Sequence, residues 1–486
     1  MKSFKLFSKL NLVIAIFFLV QSAFAQQYIL LGWNDLGMHC ANKYFGKVAV
    51  LPPFNNVSAQ LIKKEAGQLP QVITTGFTIE YSIPYNTYSV GKTDFWTYAQ
   101  QLFGLPNPLP PNIGLYGKGL TGTLDSNNGF FEAIGIPVTP YKDTNWNQEK
   151  PFQLIHLVAK TSGGTAVTST DCVIPVSNEI NCVSSGCHTS EQSILNEHEQ
   201  VSGFNQNGPV LCGGCHGTFA LGTIGDTINA KKFSYRIHNT HKDLLPANDI
   251  NTCYKCHPGP NTQCLRDTMS RLPINPKICQ DCHGTMATVA SSIVAGRRPW
   301  QDEPKCGSTA CHGSNFAEEP NKLYRNSKGH GGVFCTACHG SPHAIFPSRE
   351  ANDNLQNVTL QGHAGALKDC MVCHSTPPTA PGPHGIMYTG IRNINTELPG
   401  KFKLYQNYPN PFNPTTKIKF ELPLNSFVTV KVYSLLGKEV ATLVNQSLNA
   451  GTYEADWSAA DFSSGVYFAR ISAGNYTETK KMTLIK

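Results

Sequence analysis

Cysteine and histidine recur together in the middle of the sequence. Fourteen of the 17 cysteines fall in pairs, and a histidine directly follows the second cysteine of each pair. Five pairs have the form CxxCH, and two pairs have four residues between the cysteines. In chain order, and numbered below as sites 1 to 7, they are Cys182, Cys187 and His188; Cys212, Cys215 and His216; Cys253, Cys256 and His257; Cys279, Cys282 and His283; Cys306, Cys311 and His312; Cys335, Cys338 and His339; and Cys370, Cys373 and His374. Since only 16 of 486 residues are histidine, this regularity indicates one chemistry repeated at every pair.

Covalent attachment of haem is the chemistry that suits this pattern. Two thiols add to the two vinyl groups of one haem, and the adjacent histidine ligates the iron from the same face. The wider spacing in sites 1 and 5 still allows both thioether bonds. The sequence therefore predicts seven haem c groups, with iron as the metal and electron transfer as the function.

A haem iron has a second axial position, and the ligand there decides whether the iron is open or closed. Seven further histidines lie among the cysteine motifs and match the sites in number: His198, His238, His241, His330, His343, His363 and His384. Methionine, the usual alternative ligand, is scarce, so these seven are predicted as the distal ligands of bis-histidine haems. His238 and His241 are three residues apart and could serve neighbouring haems from one helical turn. His39 is the reserve ligand, and the pairing of distal histidines with sites stays open.

Two other functions fit parts of the pattern. A zinc-stabilised surface adhesin would use CxxC pairs, but zinc does not require a histidine directly after the second cysteine. A multihaem reductase needs one iron with an open position, which nitrite reductases of this kind often mark with lysine in place of the motif histidine. No such lysine motif is present, and the additional histidines would close every site. An electron carrier is therefore favoured over an enzyme, and no catalytic residue is assigned.

Cys40, Cys172 and Cys264 remain outside the motifs. Their odd number means that at least one of them is not in an intramolecular disulfide. Cys40 follows His39 and could contact a metal or haem, although a structural role at a tight turn near Gly37 is the favoured interpretation.

The N-terminus has the features of a secretory signal peptide over residues 1–25. Three lysines and an apolar run over residues 10–20 precede the small residues Ala23 and Ala25. The apolar run is shorter than the roughly 20 residues that span a bilayer. Removing three lysines lowers the formal net charge from +7 to +4, and between residues 171 and 390 there are 16 Lys and Arg against 17 Asp and Glu. Haem propionates would then make the assembled protein acidic, so no nucleic-acid partner is expected.

Composition divides the mature chain into four parts. A mostly-β N-terminal domain is predicted over residues 26–170, because its apolar and β-branched residues alternate, with one helix after Thr93. A seven-haem cytochrome c domain is predicted over residues 171–390. Gly, Pro and Asn interrupt its apolar runs, so it is expected to be irregular and loop-rich with short helices, and the haems would take the place of an apolar core.

A linker is predicted over residues 391–400 and a small immunoglobulin-like β-sandwich over residues 401–486. The sandwich prediction rests on alternating apolar residues between turn residues. The strands expected in the two β-rich domains are 28–31, 72–81, 152–159, 166–175, 415–422, 427–434 and 465–472.

The segment from Gly32 to about Pro175 resembles the N-terminal β domain of a family of large exported multihaem cytochromes. The sequence runs that carry this resemblance are GWNDLGMHC at 32–40, LPPFN at 51–55 and GKTDFW at 91–96. The predicted haem segment is similar to the same family through CHGSPHAI at 338–345 and LQGHAG at 360–365. The resemblance implies extracellular electron transfer between donor and acceptor proteins or extracellular acceptors. Some relatives of this type polymerise into haem wires, so a homopolymer is the alternative to a surface-tethered monomer.

The C-terminal segment resembles the type A sorting domain of the type IX secretion system. The runs that carry this resemblance are NYPNPFNPTT at 407–416, VYSLLGKEV at 432–440, LNAGTY at 448–453 and SGVYF at 464–468. The resemblance implies the type IX secretion machinery as a partner, passage across the outer membrane, and removal of the domain. The predicted localisation is therefore secreted, at the outer cell surface or extracellular.

Overall fold

The structure is a computed structural model of the chain. It describes residues 27–486 apart from 179–181, 184–185, 226–231, 260, 310, 314–317, 379–381, 386–390 and 396–397. The predicted signal peptide lies outside the described residues. In the part of the chain that is described, no helix combines the length and the apolar character that crossing a membrane requires.

Most of the regular structure in the described residues is β, and the helices are short. The strands are β1 (Tyr28–Asn34), β2 (His39–Cys40), β3 (Val48–Ala49), β4 (Asn56–Lys63), β5 (Gln71–Ile73), β6 (Phe77–Ser82), β7 (Thr121–Thr123), β8 (Asp125–Asn127), β9 (Phe130–Ile134), β10 (Phe152–Thr161), β11 (Ala166–Ser177), β12 (Val210–Leu211), β13 (Ile391–Asn395), β14 (Lys403–Leu404), β15 (Thr415–Leu422), β16 (Ser426–Ser434), β17 (Glu439–Leu448), β18 (Gly451–Ser458), β19 (Gly465–Ala473) and β20 (Tyr476–Leu484). The α-helices are α1 (Phe95–Phe103), α2 (Glu191–Asn196), α3 (Cys212–His216), α4 (Phe233–His241), α5 (Ile250–Tyr254), α6 (Cys279–His283), α7 (Met286–Val294), α8 (Cys335–His339) and α9 (Ala351–Gln361). Short 3-10 turns cover Met269–Arg271, Tyr324–Asn326, His330–Gly332, Cys370–Val372 and Pro383–Gly385.

The N-terminal part contains two five-stranded sheets. One has the order β1-β4-β9-β8 with β5 also on β4, and the other has the order β2-β11-β10-β6-β7. Every second residue of β10 from Gln153 to Ala159 is buried, which is the pattern of a strand with one face on a core. The shared core includes Leu30, Ile79 and Ile155. These sheets are the scaffold against which the cysteine-rich segment packs.

Two local predictions in this region differ from the structure in detail. The strand predicted over residues 72–81 is two strands, β5 and β6, because Gly76 between them has φ +76°, a conformation that favours glycine. The predicted helix is present as α1, but Asp94 is its N-cap residue. Thr93 still contributes, since its Oγ1 accepts a hydrogen bond of 3.3 Å from the Phe95 amide.

The C-terminal part is a β-sandwich of two four-stranded sheets, with the orders β13-β18-β15-β14 and β17-β16-β19-β20. The three strands predicted here coincide with β15, β16 and β19, and alternate residues such as Ile418, Phe420 and Ile471 form the core. Residues 391–395, predicted as part of a linker, are instead the edge strand β13, paired antiparallel with β18. A strand this short lacks a long alternating pattern, so its pairing partner decides its conformation.

The segment between them contacts the N-terminal sheets through buried polar groups. Helix α9 packs on β10 and β11, and the Gln356 side chain accepts a 2.7 Å hydrogen bond from the Gly32 amide of β1. Gln60 of β4 donates to the Gly332 carbonyl and accepts from the Phe334 amide, each at 3.0 Å. Buried polar atoms that are paired in this way fix the position of the segment, because separating them would leave them unsatisfied.

Candidate functional site

The described residues of the cysteine motifs lie in tight turns. The motifs of sites 2, 4 and 6 are the one-turn helices α3, α6 and α8. In sites 3 and 7 the histidine amide donates to the carbonyl of the first cysteine at 2.8 Å. In the wider motifs of sites 1 and 5 the same bond forms at 3.1 Å, from His188 to Cys182 and from His312 to Cys306. The histidine therefore keeps its place relative to the first cysteine in both spacings.

In the described part of the chain, six motif histidines each lie beside one further histidine. The distances between ring centres are 6.2 Å for His188 and His241, 6.0 Å for His216 and His198, 5.9 Å for His257 and His238, 6.0 Å for His283 and His343, 5.9 Å for His339 and His384, and 6.0 Å for His374 and His330. With metal–nitrogen bonds of about 2 Å, imidazoles on opposite sides of one metal ion have ring centres about 6 Å apart. The spacing of all six pairs thus fits an axially ligated iron.

Several of the additional histidines are oriented by backbone carbonyl groups. The Nδ1 atoms of His238 and His241 lie 2.7 Å from the carbonyl oxygens of Ser234 and Ile237, one helical turn earlier. His198 has a longer contact of the same type, 3.3 Å to Ile194. A ring whose Nδ1–H donates to a carbonyl presents Nε2 as the metal-binding atom. These Nδ1–carbonyl contacts could have been predicted from the sequence, because a side chain on a helix reaches the carbonyl four residues before it.

His363 has the same arrangement without belonging to one of the six pairs. Its side chain is buried, and its Nδ1 lies 2.9 Å from the Ala364 carbonyl oxygen. Its Nε2 is thereby directed away from that carbonyl. The six pairs leave His363 as the remaining distal candidate and His312 of site 5 as the remaining motif histidine.

Burial lowers the pKa of three of the paired rings. Burial, which is the larger cause, and the neighbouring His238 together lower the pKa of His257 to about 4. Burial together with His343 lowers the pKa of His283 to about 4, and burial together with Arg266 does the same for His343. These imidazoles are therefore uncharged at neutral pH, which is the protonation state that binds a metal.

The loop that carries His343 is held by the run GWNDLGMHC. The Ser341 hydroxyl donates to the Asn34 carbonyl, and the Asn34 side chain in turn accepts from the Gly37 amide at 2.7 Å. Gly37 has φ +76°, and a Cβ at this position would lie 1.8 Å from the Pro342 carbonyl oxygen. Sequence reasoning recognised this run only through resemblance. In the structure, the run positions the loop that carries His343, whose ring lies 6.0 Å from that of His283.

A buried ion pair fixes the same region from the other side. Arg266 contacts Asp353 through two bonds of 2.6 and 3.0 Å and donates to the Gly37 carbonyl at 2.7 Å. Its backbone amide donates to the His343 carbonyl at 2.9 Å. Sequence reasoning missed Arg266 and Asp353, since they are 87 residues apart and neither belongs to a motif.

The reserve ligand His39 has a different role from the predicted one. Its Nε2 lies 2.8 Å from the Asp35 carboxylate, and its buried ring lies beside Phe54 and Trp300. The Nε2 atom, which would bind a haem iron, is therefore already bonded to the Asp35 carboxylate. His156 is similarly paired with Asp171, at 2.7 Å through Nδ1.

The cysteines form no disulfide in the structure, and all 17 lie in its described part. Cys172 is buried in the N-terminal core, where burial raises its pKa well above the usual range. Burial also raises the pKa of Cys264 to about 11. Among the described residues, no three His, Cys, Asp or Glu side chains converge as a metal ion bound by side chains alone would require. The histidines instead face each other in twos.

Comparison with known proteins identifies the C-terminal part. Residues 406–486 match the family described as "Secretion system C-terminal sorting domain". The chain therefore carries a type IX secretion sorting domain, and the observed sandwich fits the immunoglobulin-like fold of such domains. This domain implies association with the type IX secretion machinery, export, and attachment at the outer surface or secretion.

No curated protein sequence matches the chain. Among solved structures, PorZ, described as an essential bacterial surface component of the type IX secretion system of Porphyromonas gingivalis, is similar at 22% identity. That similarity covers 18% of this chain and 11% of PorZ, with a TM-score of 0.13, so it supports no conclusion about the fold of the whole protein.

Proposed function

We propose that this exported protein transfers electrons at or outside the cell surface through seven covalently bound c-type haems. The observation that carries the proposal is the set of six histidine pairs with ring centres 5.9–6.2 Å apart, each containing the histidine of one cysteine motif. The cysteines of each motif would hold the haem through thioether bonds. The motif histidine and its partner would be the two axial ligands.

The shortage of side-chain core in the cysteine-rich segment supports the same proposal. From residue 182 to 385, the buried apolar side chains among the described residues are Leu195, Tyr254, Ala290, Phe334, Ala337, Ala344 and Val372. Phe334, Ala337 and Val372 pack with side chains of β1 rather than with the other four. A segment of this length needs more buried apolar surface than these residues provide, and porphyrin rings would supply it.

Haem would supply a one-electron iron(III)/iron(II) couple at each site. The two histidines of each of the six pairs would hold the iron and keep it closed to substrates. In three of the pairs, the Nδ1–carbonyl contacts of His198, His238 and His241 would hold these rings in the binding orientation. Closed sites of this kind suit electron transfer and exclude substrates, which is why we favour a carrier over a reductase.

The test is spectroscopy on the purified mature protein. The pyridine haemochrome assay should give seven haems per chain, and electron paramagnetic resonance of the oxidised protein should show low-spin iron. A chain without haem would refute the proposal and leave the zinc-stabilised adhesin. A substantial high-spin haem that binds carbon monoxide on reduction would instead favour the reductase. Electron microscopy of the same sample distinguishes a monomer from a homopolymer.

A further inference from the structure

Three large aromatic side chains are exposed on the N-terminal part, outside the cysteine-rich segment. Tyr44, Tyr85 and Trp146 are 59%, 69% and 43% exposed. They come from three separate stretches of the chain, which follow β2, β6 and β9. Large apolar side chains that are exposed singly are common, whereas a connected group of them marks a binding surface. The contacts between these residues therefore decide whether they form a site.

Two lysines connect Tyr44 with Tyr85. The ammonium group of Lys43 lies 5.3 Å from the centre of the Tyr44 ring and 4.9 Å from that of the buried Tyr141 ring. The next residue, Lys142, has its ammonium group 5.4 Å from the centre of the Tyr85 ring. A cation is attracted to the negative face of an aromatic ring, so these contacts restrict the orientation of both exposed rings.

Asp143 connects Tyr85 with Trp146. The Asp143 amide donates to the Tyr85 carbonyl at 2.7 Å, and the Asp143 carbonyl accepts from the Trp146 Nε1 atom at 3.2 Å. The Trp146 ring also packs edge-on against the ring of Tyr88, with ring centres 5.9 Å apart. The rings of Tyr44, Tyr85, Tyr88 and Trp146 therefore form one connected group, which we call the aromatic surface.

A buried lysine fixes the backbone that carries the aromatic surface. Lys92 is 2% exposed. Its ammonium group donates to the Asn86 side chain at 2.8 Å, the Tyr141 carbonyl at 2.9 Å and the Asp143 carboxylate at 2.7 Å. Tyr85 has φ +66°, which a bulky residue adopts only where the surrounding structure imposes it. The rings are thus held in place before any ligand arrives, and a ligand that stacks on them would not have to order them.

The charge near the aromatic surface favours a neutral ligand. Residues 26–170 contain nine lysines, no arginine and eight Asp and Glu, so this part of the chain is nearly neutral. Lys92 is neutralised by its ion pair with Asp143, which leaves Lys43 and Lys142 as the cations that contact the exposed rings. Proteins hold a polyanion such as a nucleic acid through many clustered positive charges, and two lysines are too few for this.

Sugars have the chemistry that matches these features. The C–H groups on one face of a sugar ring are slightly positive and stack on the negative face of an aromatic ring. Sugar hydroxyl oxygens accept hydrogen bonds from lysine ammonium groups. Exposed rings from three separate chain segments provide several stacking positions, so a polymer of sugars fits the surface better than a single sugar does.

We propose that the aromatic surface binds a neutral polysaccharide outside the cell. The sorting domain at residues 406–486 implies export to the outer surface or secretion, and polysaccharides are accessible to the protein there. Sugar rings stack on Tyr44, Tyr85 and Trp146, while Lys43 and Lys142 donate to sugar hydroxyls. No covalent bond forms or breaks. This inference does not rest on the proposed function, since none of these residues belongs to a histidine pair.

Affinity electrophoresis of the full chain through gels that each contain one polysaccharide tests the proposal. The neutral probes are dextran, mannan, xyloglucan and mixed-linkage β-glucan, and the anionic probes are polygalacturonate and labelled single-stranded DNA. We expect at least one neutral polymer to retard the protein, and high salt to leave this unchanged, because salt screens charges and not stacking. Retardation by none of the neutral polymers overturns the proposal. Binding to the anionic probes alone, lost at high salt, also overturns it and assigns the surface to a polyanion.

Substitutions then show whether the aromatic surface is the binding site. Tyr85→Ala and Trp146→Ala should each weaken binding about tenfold, because each removes one stacking partner. Tyr85→Phe keeps the ring and should bind like the unmodified protein. The matched control is Tyr408→Ala, since Tyr408 is 80% exposed but lies in the C-terminal sandwich.

Unchanged binding in both Tyr85→Ala and Trp146→Ala would overturn the assignment of the site, as would an equal loss in Tyr408→Ala. Thermal unfolding of each variant separates lost binding from lost structure. If Trp146→Ala lowers the melting temperature, the comparison of Tyr85→Ala with Tyr85→Phe decides, because the Tyr85 side chain is the most exposed of the four.

Discussion

The cysteine-rich segment and the C-terminal sandwich are stabilised in different ways. The sandwich is formed by residues 391–395 and 403–484 and contains a cluster of 19 buried apolar residues, among them Ile418, Val430 and Ile471. The cysteine-rich segment is more than twice as long and buries few such residues among those described. What it has instead is a set of histidines that face each other at a constant distance. If haem binds as proposed, the positions of its ligands would specify the fold of this segment, and the cofactor would complete its core.

Preventing haem attachment should have the largest effect on this difference. In a host without cytochrome c maturation, we expect residues 182–385 to be unfolded while the sandwich stays folded. The few buried side chains cannot offset a backbone entropy of about 1–2 kcal/mol per residue. Limited proteolysis followed by mass spectrometry measures this, with the haem-loaded protein as the control. Equal protection of the segment with and without haem would contradict the comparison.

Deleting residues 401–486 tests whether the C-terminal sandwich serves export and not haem binding. We expect surface delivery to be lost and all seven haems to remain attached, because the last cysteine or histidine of the chain is His384. Protease accessibility on intact cells measures delivery, and the haemochrome assay measures haem content. Normal surface delivery of the truncated protein would show that the sandwich is not the sorting signal.

Removing the buried cation that ties the segment to the N-terminal sheets should have the next largest effect. Arg266→Leu leaves Asp353 buried without its partner, which typically costs about 3–5 kcal/mol in the free energy of unfolding. Thermal unfolding of the haem-loaded protein would measure the loss. The matched control is Arg298→Leu, since the Arg298–Asp302 pair is exposed and contributes little. Equal effects of the two substitutions would mean that the buried pair does not hold the segment in place.

Gly37→Ala should have the smallest effect, confined to one site. The new Cβ would overlap the Pro342 carbonyl, so the loop that carries His343 has to move and site 4 loses its distal ligand. Electron paramagnetic resonance should then show one high-spin haem in addition to low-spin haems. Gly67→Ala is the control, because Gly67 also has a positive φ, +73°, but nothing lies within 4 Å of the added Cβ. A new high-spin signal in both variants would assign the effect to general destabilisation.

Much of the β structure could be predicted from the sequence because its signals are local. Alternation of apolar residues located β10, β15 and β19, since the side chains of a strand point to its two faces in turn. The cysteine motifs are just as local, since two thiols and a histidine within a few residues suffice for one attachment site. The spacing of His238 and His241 likewise predicted one helical turn, and α4 contains both.

The pairing of histidines with sites is not local, and the sequence left it open. His198 lies 18 residues before its partner His216, whereas His283 and His343 are separated by 60. Chain order does not reveal which motif lies beside which, because loops of such different lengths can return to the same helix. Only the tertiary structure placed His238 beside His257 and His241 beside His188. The role of Gly37 was hidden for the same reason: its neighbour Pro342 is distant in sequence, and only the folded chain brings that carbonyl to where a side chain would have been.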